Sequence, residues 1–174
     1  PRKQVYTEKG EVVDYDRLIL ATGSKPFIPP IAGADLKGVI SFRDIYDINT
    51  MLDYCKTKKN AVVIGGGLLG LEAAYGLKQR GMNVTVLHLM DRIMERQLDS
   101  KASQMLRHSI EQKGISIITE ANTEALVGVD GHVTQIRLKD GTVLEADLVV
   151  FAVVIGRNMA CPLSPFPSQG EGPL

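Results

Sequence analysis

The sequence contains no tryptophan, only two cysteines and three histidines, and 5% aromatic residues in a chain of 174. Cys55 and Cys161 are far apart and form no C-x-x-C pair, so a disulfide framework, a zinc site and a dithiol redox centre are not expected. His108 and His132 have no cysteine or histidine neighbours at ligand spacing. We therefore predict no metal site.

The charge pattern also lacks any strong bias. Lys and Arg together number 20, as do Asp and Glu, which gives no reason to expect nucleic acid or an anionic membrane as a partner. No apolar run is long enough to span a bilayer, and the first residues do not form a signal peptide. We therefore expect a cytoplasmic location and no membrane contact.

The centre of the sequence is a β-branched run at residues 61–64 that leads into the turn GGGLLG at residues 65–70. This G-x-G-x-x-G turn stands between a strand and a helix, the setting in which it indicates dinucleotide binding. Gly65 permits the tight turn, Gly67 lets a pyrophosphate approach the backbone, and Gly70 lets the helix pack on the strand. The phosphates are expected over the helix that begins near Leu68.

The segments around this turn predict an α/β fold, a Rossmann-like domain with a parallel sheet and a β-meander. A helix over residues 68–80, Gly81 as its cap and a strand over 82–87 complete a β-α-β unit of about thirty residues. A glycine turn that only connects a strand to a helix remains the alternative. The other predicted elements are listed in chain order: a hairpin at 3–13, a buried strand at 15–24, a short strand at 38–42, helices at 44–56 and 100–113, a third parallel strand at 115–118, a meander at 123–144 and a buried strand at 146–153.

Three stretches carry a resemblance to a known family: YDRLILATGSKP at 15–26, VVIGGGLLGLEAA at 62–74 and DGTVLEADLVVFAV at 140–153. Together they resemble the FAD- and NAD(P)H-dependent reductases of the pyridine nucleotide-disulfide oxidoreductase superfamily. The run HLMDRIMERQLD at 88–99 is most similar to the large subunits of assimilatory NAD(P)H nitrite reductases. The resemblance implies an oxidoreductase in which NAD(P)H passes hydride to FAD, and partner parts carrying FAD, iron–sulfur and sirohaem centres.

The resemblance also implies roles for single residues. Ala21, Thr22 and Gly23 match a turn that packs near the flavin nucleotide, and Glu72 matches an acid directed at the nicotinamide carboxamide. Glu72 has a simpler explanation as a solvated acid near the helix start. No residue is predicted to act as a catalytic acid, base or nucleophile, because hydride passes directly between the two cofactors.

His88 ends the second strand of the β-α-β unit, where sites that select NADH usually carry Asp or Glu. A histidine does not repel the 2′-phosphate of NADPH and attracts it when protonated. Arg92 and Arg96 follow within reach of such a phosphate, or else belong to a solvated loop. The sequence therefore permits NADPH without requiring it, and only slight discrimination from NADH is expected.

The sequence departs from the family pattern at both ends. No glycine turn for FAD precedes Gly65, and Val154 and Arg157 replace a glycine and a proline. We predict a partial FAD-domain segment and connector at 1–35, an NAD(P)H-binding domain at 36–153 and an irregular tail at 154–174, with no stoichiometric FAD held by the chain alone. The alternatives are a non-catalytic nucleotide-binding remnant and a rubredoxin or ferredoxin reductase-type enzyme. The predicted cofactor-binding residues are Gly65, Gly67, Leu68, Leu69, Gly70, Glu72, His88, Arg92, Val153, Ala21, Thr22 and Gly23.

Overall fold

The computed structural model describes residues 3–21, 24–26, 28–152 and 155–157. The chain divides into two compact units, one assigned residues Pro1–Lys25 and Arg157–Leu174 and the other Pro26–Gly156. The predicted domain boundaries after residues 35 and 153 remain a prediction. Among the described helices, none has the length and apolar character needed to cross a membrane.

In the first unit, β1 (Gln4–Tyr6) and β2 (Val12–Asp14) form the predicted antiparallel hairpin. The buried strand predicted at residues 15–24 is wrong over residues 15–21, which form no strand, and Ile19 is 88% exposed. An aliphatic run becomes a strand only when another strand pairs with it and its face is covered. No described strand pairs with residues 15–21.

The chain passes from one unit to the other within β3 (Ser24–Pro26) and again within the last strand. Between these points the elements are β4 (Val39–Ser41), α1 (Ile45–Thr57), β5 (Asn60–Ile64), α2 (Leu68–Gln79), β6 (Asn83–Leu87), α3 (Ser100–Glu111), β7 (Ile115–Ile118), β8 (Thr123–Val129), β9 (His132–Leu138), β10 (Val143–Glu145), β11 (Leu148–Phe151) and β12 (Ile155–Arg157). β12 falls in the predicted irregular tail, because the β-branched run after β11 continues to Ile155. The rest of the predicted tail lies outside the described residues.

The second unit is built on a five-stranded parallel sheet with the strand order β4-β11-β5-β6-β7. Its central strands are buried on both faces, and neighbouring residues such as Val62 and Val63 point to opposite sides. One face packs against the three helices, and the other packs against the antiparallel meander β10-β9-β8. The predicted α/β fold with a parallel sheet and a meander is confirmed.

In two helices an apolar residue is exposed while another residue of the same helix is buried. In α1, Ile45 is 60% exposed and Met51 is buried at 6%. In α3, Met105 is 67% exposed, while Ser103 is buried at 2% and its hydroxyl donates a hydrogen bond to the carbonyl oxygen of Ile93 at 2.8 Å. Apolar spacing identifies a stripe on a helix, but the neighbouring elements decide which side is covered.

Asp44 caps α1 and is expected to contribute measurably to stability. Its side chain accepts hydrogen bonds from the backbone N–H groups of Tyr46 and Asp47 at 2.9 and 3.1 Å, and Asp47 closes the capping box. We expect Asp44→Ala to lower the free energy of unfolding by about 1 kcal/mol, because two N–H groups lose their acceptor. Asp44→Asn, which keeps an acceptor oxygen, should lose less, and urea unfolding of the two variants measures the difference. An equal loss would show that charge rather than capping is responsible.

Candidate functional site

The glycine turn between β5 and α2 forms one end of the parallel sheet. Gly65 has a φ of +127°, a conformation that residues with side chains rarely adopt, and its N–H donates to the carbonyl oxygen of Leu87 at 2.8 Å. A Cβ on Gly70 would overlap the carbonyl oxygen of Gly65. The chain itself therefore requires glycine at both positions, as the sequence motif predicts for the turn and for the helix packing.

Gly67 is the N-cap of α2 and differs from these two glycines. Its φ of −86° is open to any residue, and a Cβ built on it meets no atom within 4 Å. It provides no side-chain cap for the first N–H groups of the helix, at Leu68 and Leu69. Nothing within the described part of the chain requires glycine here, and the space in front of the helix is free for a ligand.

A groove with a volume of about 540 Å³ opens over this turn, at the carboxyl ends of β5, β6 and β11. In open α/β sheets, ligands bind at this edge. Among the described residues of its lining, two carry a formal charge, Glu95 and Arg96. The lining residues are Pro29, Ile31, Ile64, Gly65, Gly66, Gly67, Leu87, His88, Leu89, Met90, Glu95, Arg96, Gln97, Ala121, Asn122, Thr123 and Ala152.

His88 lies in the groove wall, with both ring nitrogens engaged inside the chain. Its Nδ1 accepts a hydrogen bond from the N–H of Gly66 at 3.0 Å, and its Nε2 lies 2.9 Å from Oε2 of Glu95. Because a backbone N–H only donates, Nδ1 carries no proton, and Nε2 is the nitrogen that donates to the carboxylate. The side chain of His88 is 11% exposed and that of Glu95 is 24% exposed. His88 therefore holds Glu95 in a fixed place.

A backbone hydrogen bond also holds residues 88–98 against the glycine turn, in addition to the contacts of His88. The N–H of Met94 donates to the carbonyl oxygen of Gly66 at 3.0 Å, and Met94 has a left-handed φ of +54°. A Cβ on Gly66 would lie 2.8 Å from Cγ of His88 and 2.9 Å from Cγ2 of Ile93. Sequence analysis missed Gly66, because the G-x-G-x-x-G pattern leaves its second position unspecified.

The other predicted site residues that the structure describes do not line the groove. Arg92 lines a separate cavity of about 200 Å³ and lies 3.2 Å from the carboxylate of Asp91, so it is not brought to the groove. Glu72 is exposed on α2 and is not part of the groove lining. Ala21 is exposed in the first unit. Thr22, Gly23 and Val153 lie outside the described residues.

Cys55 lies on α1, away from the groove, with its sulfur 3.5 Å from Sδ of Met82. Burial is the main cause that raises the pKa of this thiol above its usual value, although the nearby Arg80 partly opposes the shift. A raised pKa leaves less thiolate at neutral pH, so this sulfur is a weak nucleophile. Its position indicates a packing role.

The chain is similar to several known proteins. A model of the family described as "Pyridine nucleotide-disulphide oxidoreductase" matches residues 2–164. The "Nitrite reductase [NAD(P)H]" of Bacillus subtilis (strain 168) is 55% identical over 156 residues, which are 90% of this chain and 19% of that protein. The "Assimilatory nitrate reductase electron transfer subunit" of the same organism is 43% identical over 163 residues, covering 94% of this chain and 21% of that protein.

A solved structure of a ferredoxin reductase from Rhodopseudomonas palustris superposes with a TM-score of 0.81 at 28% identity, covering 88% of this chain and 38% of that one. The chain spans about a fifth of the length of the two Bacillus relatives. The resemblance predicted from the sequence stretches, including that to nitrite reductase, is confirmed.

Proposed function

Because the chain belongs to the pyridine nucleotide-disulphide oxidoreductase family, we propose that its second unit binds NADH or NADPH over the glycine turn and presents the nicotinamide for hydride transfer to FAD. The observation that carries this proposal is the contrast among the three glycines of the motif. Gly65 and Gly70 are required by the backbone itself, whereas a Cβ on Gly67 would meet no atom of the described residues within 4 Å. A group that must approach the backbone closely explains the third glycine.

The first turn of α2 suits a pyrophosphate by charge as well as by space. The N–H groups of Leu68 and Leu69 have no side-chain cap, and they stand at the positive end of the helix dipole. The groove volume of about 540 Å³ lies within the range of small-molecule and cofactor sites. Phosphates over the turn therefore place the adenosine side of the dinucleotide along the wall formed by residues 88–97.

The chemistry of the proposed reaction belongs to the cofactors, since bound nicotinamide supplies a hydride that the flavin accepts. The residues of this chain contribute binding and orientation. The glycine turn would hold the pyrophosphate, and the groove over it would hold part of the dinucleotide. Glu72 is retained as a proposed contact of the nicotinamide end, on the strength of its match to the family motif. Ala21, Thr22, Gly23 and Val153 are retained in the same way as cofactor contacts.

For the larger enzyme, we propose a nitrite reductase in which this chain is the NAD(P)H-binding part. The 55% identity to "Nitrite reductase [NAD(P)H]" supports this choice. FAD, iron–sulfur and sirohaem centres in other parts would then carry electrons onward to nitrite in the cytoplasm. The 43% identity to an "Assimilatory nitrate reductase electron transfer subunit" supports a second candidate, in which the same part delivers electrons to a separate reductase.

Hydrogen exchange of the whole chain with and without NADH tests the proposed site. We expect slower exchange at the amides of Leu68 and Leu69, because the pyrophosphate covers the start of α2. The turn between β9 and β10, at residues 139–142, should be unchanged and provides an internal control. ADP-ribose should give the same protection and adenosine should not. Protection confined to segments outside the groove would contradict the proposal.

A further inference from the structure

We infer that Glu95, held in place by His88, is the residue that makes this site prefer NADH to NADPH. The inference rests on the proposed dinucleotide site and adds a specificity-determining residue to it. The sequence alone predicts only slight discrimination between NADH and NADPH, because it considers only His88 at the end of β6. Glu95 changes that expectation. The end of β6 carries His88, but a carboxylate lies beside it in the groove wall.

In the proposed site, the adenosine ribose lies at the end of β6. In dinucleotide-binding folds, the end of the second strand faces the 2′-oxygen of the adenosine ribose, and a carboxylate there accepts its hydrogen bond. Here the ring of His88 is held on one side by Gly66 and on the other by Glu95, at 3.0 and 2.9 Å. The imidazole of His88 therefore holds the Glu95 carboxylate close to the position that Asp or Glu usually occupies in NADH-selective sites.

The two carboxylate oxygens of Glu95 have different neighbours. Oε2 accepts from Nε2 of His88 at 2.9 Å. Oε1 lies 3.9 Å from Nε of Arg96, beyond hydrogen-bond distance, so it can still accept a hydrogen bond. A ribose 2′-hydroxyl provides that hydrogen bond, whereas a 2′-phosphate brings negative charge against a carboxylate that is only 24% exposed. Repulsion of this kind is an effective way to reject one of two similar ligands.

A cation close to Glu95 could offset this repulsion, and Arg96 is the candidate. Arg96 is the only positively charged residue among the described lining of the groove, and its side chain is 76% exposed. Ion pairs made by exposed side chains contribute little, because solvent screens the charges and ordering the side chains costs entropy. Arg92 lies in the separate cavity beside Asp91. The held carboxylate of Glu95 therefore outweighs the exposed guanidinium of Arg96.

Calorimetric titration of the whole chain with NADH and with NADPH tests the inference, using the wild type, Glu95→Gln and Glu145→Gln. Glutamine keeps an oxygen that accepts from His88 and removes only the charge. Glu145 is an exposed residue of β10 outside the groove, so Glu145→Gln is the control for loss of one negative charge. We expect the wild type and the control to bind NADH at least tenfold more tightly than NADPH. Glu95→Gln should bring this ratio near one by tightening NADPH binding.

The outcomes separate the inference from the proposed function. If neither nucleotide binds the wild type, the dinucleotide site fails and the inference fails with it. If both bind the wild type equally, or if Glu95→Gln keeps the tenfold ratio, the inference alone is overturned. Thermal unfolding shows whether each variant is folded. Glu95→Ala, which also loses the contact to His88, serves as a second variant and should likewise lose the preference.

Discussion

Replacing Gly67 with valine is expected to weaken NADH binding by at least a hundredfold while the chain remains folded. The backbone of Gly67, with a φ of −86° and a ψ of −178°, accepts a β-branched residue, and a Cβ there meets no atom of the described residues within 4 Å. The added side chain instead fills the space in front of Leu68 and Leu69 that the pyrophosphate needs. The expected loss corresponds to about 2.7 kcal/mol of binding free energy.

Calorimetry measures this loss, and urea unfolding of the same variant measures the folding free energy. Valine is a poorer N-cap than glycine, so a stability decrease of about 1 kcal/mol or less is expected from the helix end. Gly67→Ser is the matched variant. Its hydroxyl can cap the helix, so it should stabilise the fold by a few tenths of a kcal/mol, about the advantage of serine over glycine as an N-cap, and still weaken NADH binding. If Gly67→Val binds NADH as tightly as the wild type, the pyrophosphate does not lie over this turn.

Replacing Gly70 with alanine is expected to destabilise the chain by about 3 kcal/mol or more, which is near the upper end of the overpacking effects seen in cores. A single methyl group at this position overlaps the carbonyl oxygen of Gly65 and lies 3.3 Å from Cβ of Ala152. Neither neighbour can move easily, because Gly65 is backbone and β5 lies in the middle of the sheet. The separation between α2 and β5 would have to increase.

Gly76 provides a control on the same helix. It lies in the interior of α2, and a Cβ there meets no atom within 4 Å. Gly76→Ala should therefore stabilise the chain by about 0.5–1 kcal/mol, since alanine favours the helix and loses less backbone entropy on folding. Urea unfolding compares both variants with the wild type. If both substitutions stabilise the chain, the close contact between α2 and β5 does not exist in solution.

The sequence was sufficient to predict most of the second unit, because several local signals agree there. The run from β5 through α2 to β6 combines a β-branched strand, a glycine turn, a helix and a second strand, and all of them stand where they were expected. Gly81 has the left-handed φ expected after a helix. Such agreement across levels is what makes a fold predictable from sequence.

Other features depend on contacts between distant residues and could not be predicted in this way. Residues 15–21 have the composition of a strand, but composition does not supply a neighbouring strand. The sequence alone did not indicate that Met51 of α1 and Ser103 of α3 would be buried. In each case the decision is made by packing against other elements.

The candidate site likewise contains some residues that the sequence predicts and others that it does not. Gly65, Gly67 and Gly70 were identified from their spacing, because each has a distinct role in one short turn. The contact between His88 and Glu95 crosses a segment with no helical or strand period, and that segment bends at Met94 through a left-handed conformation. No sequence pattern predicts such a bend, so Glu95 was missed while Arg92, which points to another cavity, was included.

The hydrogen bonds that fix residues 88–98 have a consequence for protein engineering. The N–H of Met94 bonds to Gly66, and the carbonyl oxygen of Ile93 accepts from Ser103 of α3, so the segment is tied at both sides. Replacing only the residue at the end of β6 would keep these hydrogen bonds but would not transfer the Glu95 carboxylate. The segment from His88 to Leu98 is thus a contiguous cassette. If Glu95 selects NADH as we infer, transplanting this segment together with Gly66 and Ser103 should carry that selectivity into a related domain.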